Sequence, residues 1–308
     1  MHATALRCLV MVAECLSIRE AAERLHISPS AVSRQIQKVE DRLGTRLFKR
    51  DRNGTHLTEA GRLAVQHARD TLSGYERLHG DIRNLSGMVS GLVTIATLNS
   101  LTVKFLPELI SRIADQHSEI TFRVVACDPM EVSQQVAACS ADFGLTFNAV
   151  DAKGIKVLQD MPCPIEVIMR PDHPLALEKR LTLDQCSGQR LIYQENSGPM
   201  RLFLGEDLEK FQHLHLPVLT SNSLTLLKNL LLRGTGLAFY TRLAFAEELA
   251  EGRLIAVPLV CERAASIYLN LITSPRAVPK AASRLVSRTL KQALEQFAVD
   301  FGKNNDVS

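Results

Sequence analysis

The sequence predicts a multi-domain α/β protein with three parts: a winged, all-α head, a long connecting helix and a body of alternating strands and helices. Three observations support this fold class. Short helical patterns separated by capping residues open the chain, an unbroken amphipathic pattern runs from residue 58 to about 85, and strand-like runs alternate with helical runs from Gly91 onward. With 308 residues, the chain is long enough for two or three compact domains.

The composition is that of an ordinary globular protein, with 46% hydrophobic and 22% charged residues. The first residues lack a basic n-region, and Glu14 lies where a signal peptide needs apolar residues. No apolar run approaches the roughly 18 residues of a membrane span. The seven cysteines are odd in number and form no C-x-x-C pair. We therefore expect reduced, mostly buried thiols and a cytoplasmic location.

The charge is unevenly distributed along the chain. Residues 1–65 hold 11 of the 36 Lys and Arg but only 7 of the 33 Asp and Glu, a net charge of +4, whereas the remainder carries −1. A basic head on a neutral body is typical of nucleic-acid-binding proteins, although solvated basic faces are also common.

Three short helices are predicted in the head from their capping residues. Ser17 can cap the second helix, with Glu20 completing a capping box, and Ser28 can cap the third with Pro29 at its first position. The first helix extends from Ala3 to Cys15. The residues predicted to face the core are Leu6, Leu9, Val10 and Ala13 in the first helix, Ile18, Ala21, Ala22 and Leu25 in the second, and Ala31, Val32, Ile36, Val39 and Leu43 in the third.

The tight break between the second and third helices predicts a helix-turn-helix, whose second helix enters the major groove of DNA by its N-terminal end. Ser and Gln side chains can read base edges there, and Arg34 can contact guanine or phosphate. The alternative is an ordinary helical hairpin with a solvated polar face. The residues predicted to contact DNA are Ser28, Pro29, Ser30, Ser33, Arg34, Gln37 and Lys38.

A basic hairpin is predicted directly after these helices. Asn53-Gly54 favours a type I′ turn between two short strands, and Leu47-Phe48 packs into the core at its base. Arg50, Arg52 and Asn53 lie near the tip. Such a wing can reach phosphates or the minor groove.

A long helix is predicted from the cap at Thr58 to about Leu85, roughly 40 Å at 1.5 Å per residue. Its apolar stripe is too narrow for a stable isolated helix, so it needs a partner. Packing on the chain's own body is the alternative to packing on a second subunit. The stripe residues predicted to form a dimer are Leu63, Ala68, Leu72, Tyr75, Leu78 and Ile82.

From Gly91 the strand and helix patterns alternate, which predicts parallel sheets covered by helices. The chain breaks before this point at “LSGMVSG”, which resembles a hinge. The predicted strands are “LVTIATL”, “ITFRVVA”, “ADFGLTF”, “PIEVIMR”, “RLIYQ” and “GLAFY”, and the predicted helices are “LPELISRIADQH”, “MEVSQQVAACS”, “LTLLKNLLLRG” and residues 280–301.

The segment “SIREAAERLHISPSAVSRQIQKVEDRLGTRLFKRDRNGTHLTEAG” (residues 17–61) resembles the N-terminal domain of LysR-type transcriptional regulators almost position by position. “RPDHPLA”, “NLLLRGTGLAFYTR” and “ELAEGRLIAVPL” follow in the family's order, so the resemblance covers essentially the whole chain. Three positions depart from the family pattern: Pro29 where Gln is frequent, Leu9 where Phe is usual, and Asp51 in the basic wing. A turn at residues 116–120 lacks the family's Pro.

The resemblance implies a bacterial regulator, not an enzyme, that binds promoter DNA and needs no cofactor or metal. It implies a winged helix-turn-helix at residues 1–60, a linker helix at 58–88 that pairs antiparallel in a homodimer or homotetramer, and RNA polymerase as a further partner. The body, residues 91–308, would be of the periplasmic-binding-protein type. We expect subdomain I at 91–162 and 268–301 and subdomain II at 163–267, joined by two crossing strands, with the effector between them.

Candidate effector-binding residues lie where strands end, because ligands of open α/β sheets bind beyond the carboxyl ends of the strands. Ser100 and Thr102 resemble the hydroxyl residues with which many family members hold a carboxylate, so a small anionic metabolite is expected. Each Ser, Thr or Asn could instead be a helix cap. The candidates are Asn99, Ser100, Leu101, Thr102, Asp128, Phe147, Asn148, Asn196, Ser197 and Asn222.

No motif supports catalysis or metal binding: H-E-x-x-H, G-x-S-x-G, G-x-G-x-x-G and a P-loop are all missing from the sequence. Two alternatives of other classes are a solute-binding transport component and an enzyme on a ligand-binding fold. The basic head argues against the first and the missing catalytic residues against the second. A thiol redox sensor using Cys127, Cys139, Cys163 or Cys186 is a third alternative, although inert buried thiols are the simpler interpretation.

Overall fold

The computed structural model describes residues 3–51, 54–84, 89–149, 154–194, 217–277 and 280–303. The chain divides into two compact units, residues 1–91 and 92–308. Each unit is described separately below.

The N-terminal unit begins with three helices packed around one core, α1 (Ala3–Cys15), α2 (Ile18–Leu25) and α3 (Pro29–Leu43). The predicted caps at Ser17 and Ser28 are confirmed, whereas the Glu20 carboxylate accepts a hydrogen bond from Arg24 at 2.6 Å. The Ser17 hydroxyl accepts the N–H of Glu20 at 3.3 Å, and the Ser28 hydroxyl accepts the N–H of Ala31 at 3.2 Å. The buried core residues are Ala5, Leu6, Cys8, Leu9, Val12, Ala21, Ala22, Val32, Ile36, Val39, Leu47 and Ala68.

Two core assignments in these helices, Leu43 and Ala13, need correction. Leu43 is 50% exposed, because α3 ends at this residue with Gly44 in the left-handed conformation and the helix extends past the core. Val10 is partly buried and packs against the core as predicted. Ala13 is only partly buried, whereas Cys8 and Val12 are fully buried. The core-facing side of α1 is therefore rotated from the predicted stripe.

The predicted wing is present as an antiparallel hairpin of β1 (Phe48–Asp51) and β2 (Gly54–Leu57). The strands pair from Phe48 opposite Leu57 to Asp51 opposite Gly54. Arg52 and Asn53 lie outside the described residues, as does the side chain of Arg50.

The long helix, α4 (Glu59–Asn84), is capped as predicted by Thr58, whose hydroxyl accepts the N–H of Gly61 at 2.9 Å. Its apolar stripe is divided between two sides. Ala68 is fully buried and Leu72 half-buried against the unit's own core, whereas Leu63 is 72% exposed. The assignment of Ala68 to the dimer stripe therefore needs correction, because the residue is buried in the unit's own core. The side chains of Leu78 and Ile82 lie outside the described residues.

The first sheet of the C-terminal unit has five strands in the order β4 (Ile120–Ala126), β3 (Gly91–Thr97), β5 (Phe143–Phe147), β12 (Tyr268–Thr273) and β6 (Lys156–Pro162). Strands β3 and β5 are parallel, but β12 is antiparallel to both β5 and β6. The sheet is thus mixed, which corrects the prediction of a parallel sheet. The chain returns through β12 in the opposite direction, and no local pattern announces that return.

The remaining strands form two smaller sheets. Strand β7 (Glu166–Met169) pairs antiparallel with β10 (Ala238–Tyr240) and β11 (Ile255–Pro258), and β8 (Ile192–Gln194) pairs in parallel with β9 (Leu219–Ser221). Among its described residues, the helices of the unit are α5 (Phe105–Gln116), α6 (Pro129–Ala137), α7 (Leu224–Leu232), α8 (Ala246–Ala250), α9 (Glu262–Ala265) and α10 (Ala281–Lys303).

Candidate functional site

The turn between α2 and α3 exposes the N-terminal end of α3. His26 ends α2 in the left-handed conformation, with φ 54°, and the N–H of Ile27 donates to the carbonyl of Ala22 at 3.1 Å. This is the hydrogen-bond pattern of a helix stop at a residue that is usually glycine. Two residues later Ser28 caps α3, so the chain turns sharply and presents the first turn of α3 outward.

The outer face of α3 is polar and carries unpaired positive charge. Ser28, Pro29, Ser30, Arg34 and Lys38 are exposed, as predicted. Among the described residues, no carboxylate oxygen lies within ion-pair distance of Arg34 or Lys38. The arginines of α2 differ, because Arg24 and Arg19 are paired with Glu20 and Glu23 on their own helix. The cations of α3 are therefore available to an external anion.

Two of the predicted DNA-contacting residues are less accessible than the others. Ser33 is only half-exposed. Gln37 is exposed, but its amide nitrogen donates to Asp41 at 2.9 Å and its amide oxygen accepts a hydrogen bond from Arg46 at 3.2 Å. Gln37 must give up one of these exposed hydrogen bonds before it can read a base.

In the C-terminal unit, the candidate cleft residues Asn99–Thr102 form a 3-10 helix after β3. Asn99 is exposed, whereas Ser100 and Leu101 are buried. The Thr102 hydroxyl donates to the carbonyl of Asn99 at 2.8 Å, so it holds the turn itself. Helix α5 begins at Phe105, one residue before the predicted helix “LPELISRIADQH”. Ser100 and Thr102 thus precede the helix.

Two buried hydroxyl groups near this turn were not predicted from the sequence. Thr97 ends β3, and Thr241 follows β10 immediately before a second 3-10 helix, Arg242–Phe245. Both residues are at least nine-tenths buried. The Thr97 hydroxyl has no hydrogen-bond partner among the described residues, whereas the Thr241 hydroxyl lies beside the Cys163 thiol. The two 3-10 helices contact each other. A buried hydroxyl without a partner is costly, so it indicates a place where a polar molecule could bind.

The other candidate effector residues differ in their surroundings. Phe147 is half-buried between two hydrophobic clusters, and Asp128 is exposed at the start of α6. Asn148 uses both ends of its amide on the backbone of residues 266 and 268, so its assignment to ligand binding needs correction. Asn222 is exposed just before Ser223, which caps α7. Asn196 and Ser197 lie outside the described residues.

Burial favours the protonated form of three thiols of the C-terminal unit, those of Cys127, Cys163 and Cys186. Burial raises the pKa of Cys127 to about 11, and the nearby Glu131 and Asp128 carboxylates add to the increase. Burial also raises the pKa of Cys186 to about 12. It raises the pKa of Cys163 further, against a smaller lowering by the adjacent Thr241 hydroxyl. Thiols of this kind are weak nucleophiles.

Within the described ranges, no group of three or more His, Cys, Asp or Glu side chains is arranged to hold a metal ion. No helix in the same part of the chain is long and apolar enough to cross a membrane.

Two family models match this chain. Residues 3–62 match the bacterial regulatory helix-turn-helix protein, lysR family, and residues 86–295 match the LysR substrate binding domain. Among relatives, the chain is 27% identical over 205 residues to the uncharacterized HTH-type transcriptional regulator YbhD of Escherichia coli K12, covering 67% of this chain and 65% of that protein. It is 30% identical to the RuBisCO operon transcriptional regulator of Allochromatium vinosum, covering 64% of this chain and 65% of that protein. It is 24% identical to the transcriptional activator protein LysR of E. coli K12, covering 78% of this chain and 77% of that protein.

Solved structures of similar fold include CbnR, described as a LysR family transcriptional regulator. That structure has a TM-score of 0.67 and 19% identity, and the match covers 96% of this chain and 99% of that chain. Full-length CbnR in a complex with its target DNA matches with a TM-score of 0.66 and 18% identity, covering 96% of this chain and 99% of that one. At these identities the comparison shows a common fold.

Proposed function

Because the chain belongs to the LysR family of bacterial regulators, we propose that it is a transcription regulator that binds promoter DNA through residues 1–60 and a small effector through its C-terminal unit. The observation that carries this proposal is the exposure of the first half of α3. This part of α3 is capped by Ser28, exposed by the turn at His26, and carries Arg34, which has no carboxylate partner in the described part of the chain. Exposed cations at the start of the second helix of a helix-turn-helix suit the phosphates and base edges of DNA.

In this proposal, α3 enters the major groove and Ser30, Ser33 and Arg34 face base edges, with Lys38 on a phosphate. Arg can bind guanine through two hydrogen bonds, which distinguishes it from other bases. The wing residues Arg50, Arg52 and Asn53 would contact phosphates or the minor groove. The net charge of +4 in residues 1–65 supports attraction to DNA of any sequence.

A homodimer through α4 (within the linker of residues 58–88) is part of the proposal, with homotetramers and RNA polymerase as further partners. Leu63 and Tyr75 are both more than half exposed on α4. Apolar side chains on one long helix gain stability when a second copy of the helix covers them. Two copies would read two half-sites of one operator. Leu78 and Ile82 extend the predicted stripe, whereas Leu72 packs against the unit's own core.

The effector is proposed to bind between a subdomain of residues 91–162 and 268–301 and a subdomain of residues 163–267. The buried Thr97 hydroxyl, which has no hydrogen-bond partner among the described residues, and the buried hydroxyls of Ser100 and Thr241 support a ligand with several hydrogen-bonding groups. Hydroxyl donors suit a small carboxylate. Asn99, Leu101, Asn196, Ser197 and Asn222 are the further candidates, whereas the negative charge of Asp128 disfavours direct contact with an anion.

The experiment is a selection of duplexes from a random library with the purified full-length chain, followed by affinity measurements with a panel of small metabolite carboxylates. We expect one sequence to be enriched, and one acid to change the affinity for it. Enrichment of no sequence would contradict the DNA-reading role. Affinity unaffected by every acid, but changed by a neutral or cationic compound, would contradict the anionic effector.

A further inference from the structure

Glu40 is a buried carboxylate at the junction of α3 and the wing. Its side chain is only 6% exposed. One carboxylate oxygen accepts the backbone N–H of Leu47 at 2.7 Å and that of Phe48 at 3.3 Å, and the other accepts a guanidinium N–H of Arg46 at 2.8 Å. A buried carboxylate is unfavourable unless such donors surround it, and hydrogen bonds to a charged acceptor are roughly twice as strong as neutral ones. Glu40 therefore binds the backbone that leads into β1.

The same backbone is held from its other side by the start of α4. The carbonyl of Leu47 accepts the N–H of Thr58 at 3.0 Å and the Thr58 hydroxyl at 3.2 Å. A side chain at Gly61 would place its Cβ 2.0 Å from that carbonyl oxygen, so only glycine fits. Leu47 itself is fully buried. The base of the wing is thus fastened at its N–H to α3 and at its carbonyl to α4.

We infer that Glu40 is a positioning residue for DNA binding: it fixes the base of the wing against α3, so that the wing and the helix present their cations to DNA as one rigid surface. The inference rests on the DNA-binding role proposed above. Along the chain, Glu40 follows the exposed first half of α3, and the two N–H groups that it binds, those of Leu47 and Phe48, lead into the first strand of the wing. Without the Glu40 carboxylate, the N–H groups of Leu47 and Phe48 would lose their acceptor. The wing would then have to become ordered each time the protein binds DNA.

The test measures how the affinity of the full-length chain for a mixed-sequence duplex depends on salt. Each phosphate contact contributes about 0.9 to the slope of log affinity against log salt concentration. This slope is negative, and we expect Glu40→Ala to make it shallower by at least the contribution of one phosphate contact. Glu40→Gln should stay close to the wild-type slope, because its amide oxygen still accepts the Leu47 N–H. Glu14→Gln removes the same charge from α1, where the Glu14 carboxylate pairs with Arg69, and should leave the slope unchanged.

A purely structural role would lower the fraction of folded protein without changing the slope. Thermal unfolding therefore accompanies each measurement, and a second variant, Gly61→Ala, disturbs the wing base from the α4 side. We expect it to make the slope shallower as well. Folded Glu40→Ala and Gly61→Ala proteins with the wild-type slope would overturn the inference while leaving DNA binding intact. A wild-type chain that binds no duplex would overturn the proposed function itself.

Discussion

The amide oxygen of Asn148 accepts the backbone N–H of Tyr268 at 2.7 Å, and the N–H of Asn148 donates to the Tyr268 carbonyl at 2.9 Å. The amide nitrogen of Asn148 donates in turn to the carbonyl of Ser266 at 3.1 Å. Asn148 has φ 41°, a left-handed conformation that asparagine tolerates better than most residues. These bonds join the end of β5 to the start of β12.

Asn148→Ala should therefore destabilise the C-terminal unit. Two side-chain hydrogen bonds are lost and alanine must adopt the left-handed conformation, which together cost about 2–3 kcal/mol. Urea unfolding measures this free energy directly. The matched control is Asn222→Ala, an exposed asparagine whose removal should change the unfolding free energy by less than about 0.5 kcal/mol. Equal, small effects of the two substitutions would show that the amide does not fasten β12.

Leu63→Glu is expected to dissociate the proposed dimer without unfolding the head. Leu63 is 72% exposed in the single chain, so a charge there meets water in the monomer but an apolar seam in the dimer. Leu72→Glu is the contrasting variant, because Leu72 packs against the unit's own core and should lower its thermal stability. Sedimentation and thermal unfolding separate the two effects. An intact Leu63→Glu dimer at low concentration would place the seam elsewhere.

Ser100→Ala should weaken the response to an effector while leaving DNA binding without effector unchanged. The buried Ser100 hydroxyl can donate a hydrogen bond worth about 0.5–1.5 kcal/mol, or roughly 2–10-fold in affinity. Thr102→Val is the comparison, since the Thr102 hydroxyl already holds the Asn99 carbonyl and should affect stability instead. Titration calorimetry with the panel of carboxylates measures the effector affinity of both variants, and thermal unfolding measures their stability. Linkage also requires operator DNA to change effector affinity by the same factor. An affinity indifferent to Ser100→Ala would remove this residue from the site.

The thiol of Cys127 should react slowly at neutral pH. Its pKa is raised to about 11, so the reactive thiolate is a minor species that becomes abundant only as the pH approaches that value. Alkylation followed by mass spectrometry at increasing pH measures the rate for each cysteine. Rapid modification or peroxide oxidation of Cys127 near pH 7 would favour the redox-sensor alternative instead.

Sequence patterns predicted the elements that local residues determine. Ser17, Ser28 and Thr58 end loops and start helices, so the helix-turn-helix and α4 could be placed by their caps. Leu43 was wrongly predicted to be buried, because the helical periodicity of α3 continues beyond the last residue that contacts the core. The antiparallel course of β12 depends on long-range pairing, which no local pattern records.

The candidate cleft was less predictable than the helices. An asparagine after a strand can bind a ligand or fasten the backbone, and only the positions of Ser266 and Tyr268 show that Asn148 does the latter. Thr97 and Thr241 lie in or beside apolar strands, where a hydroxyl resembles an ordinary β-branched core residue. Only the fold shows that both hydroxyls are buried, and that the Thr97 hydroxyl has no hydrogen-bond partner among the described residues.

The most direct test of the central claim, that α3 reads DNA sequence, is the affinity of the Arg34→Ala protein for the selected duplex and for the same duplex changed at single base pairs. We expect a loss of about 1–3 kcal/mol on the selected duplex and no further loss when the guanine that Arg34 contacts is replaced. Arg7→Ala, on the exposed surface of α1, is the matched control for removing one positive charge. Unchanged affinity, or an equal loss on every duplex at unchanged base preference, would contradict base reading by Arg34.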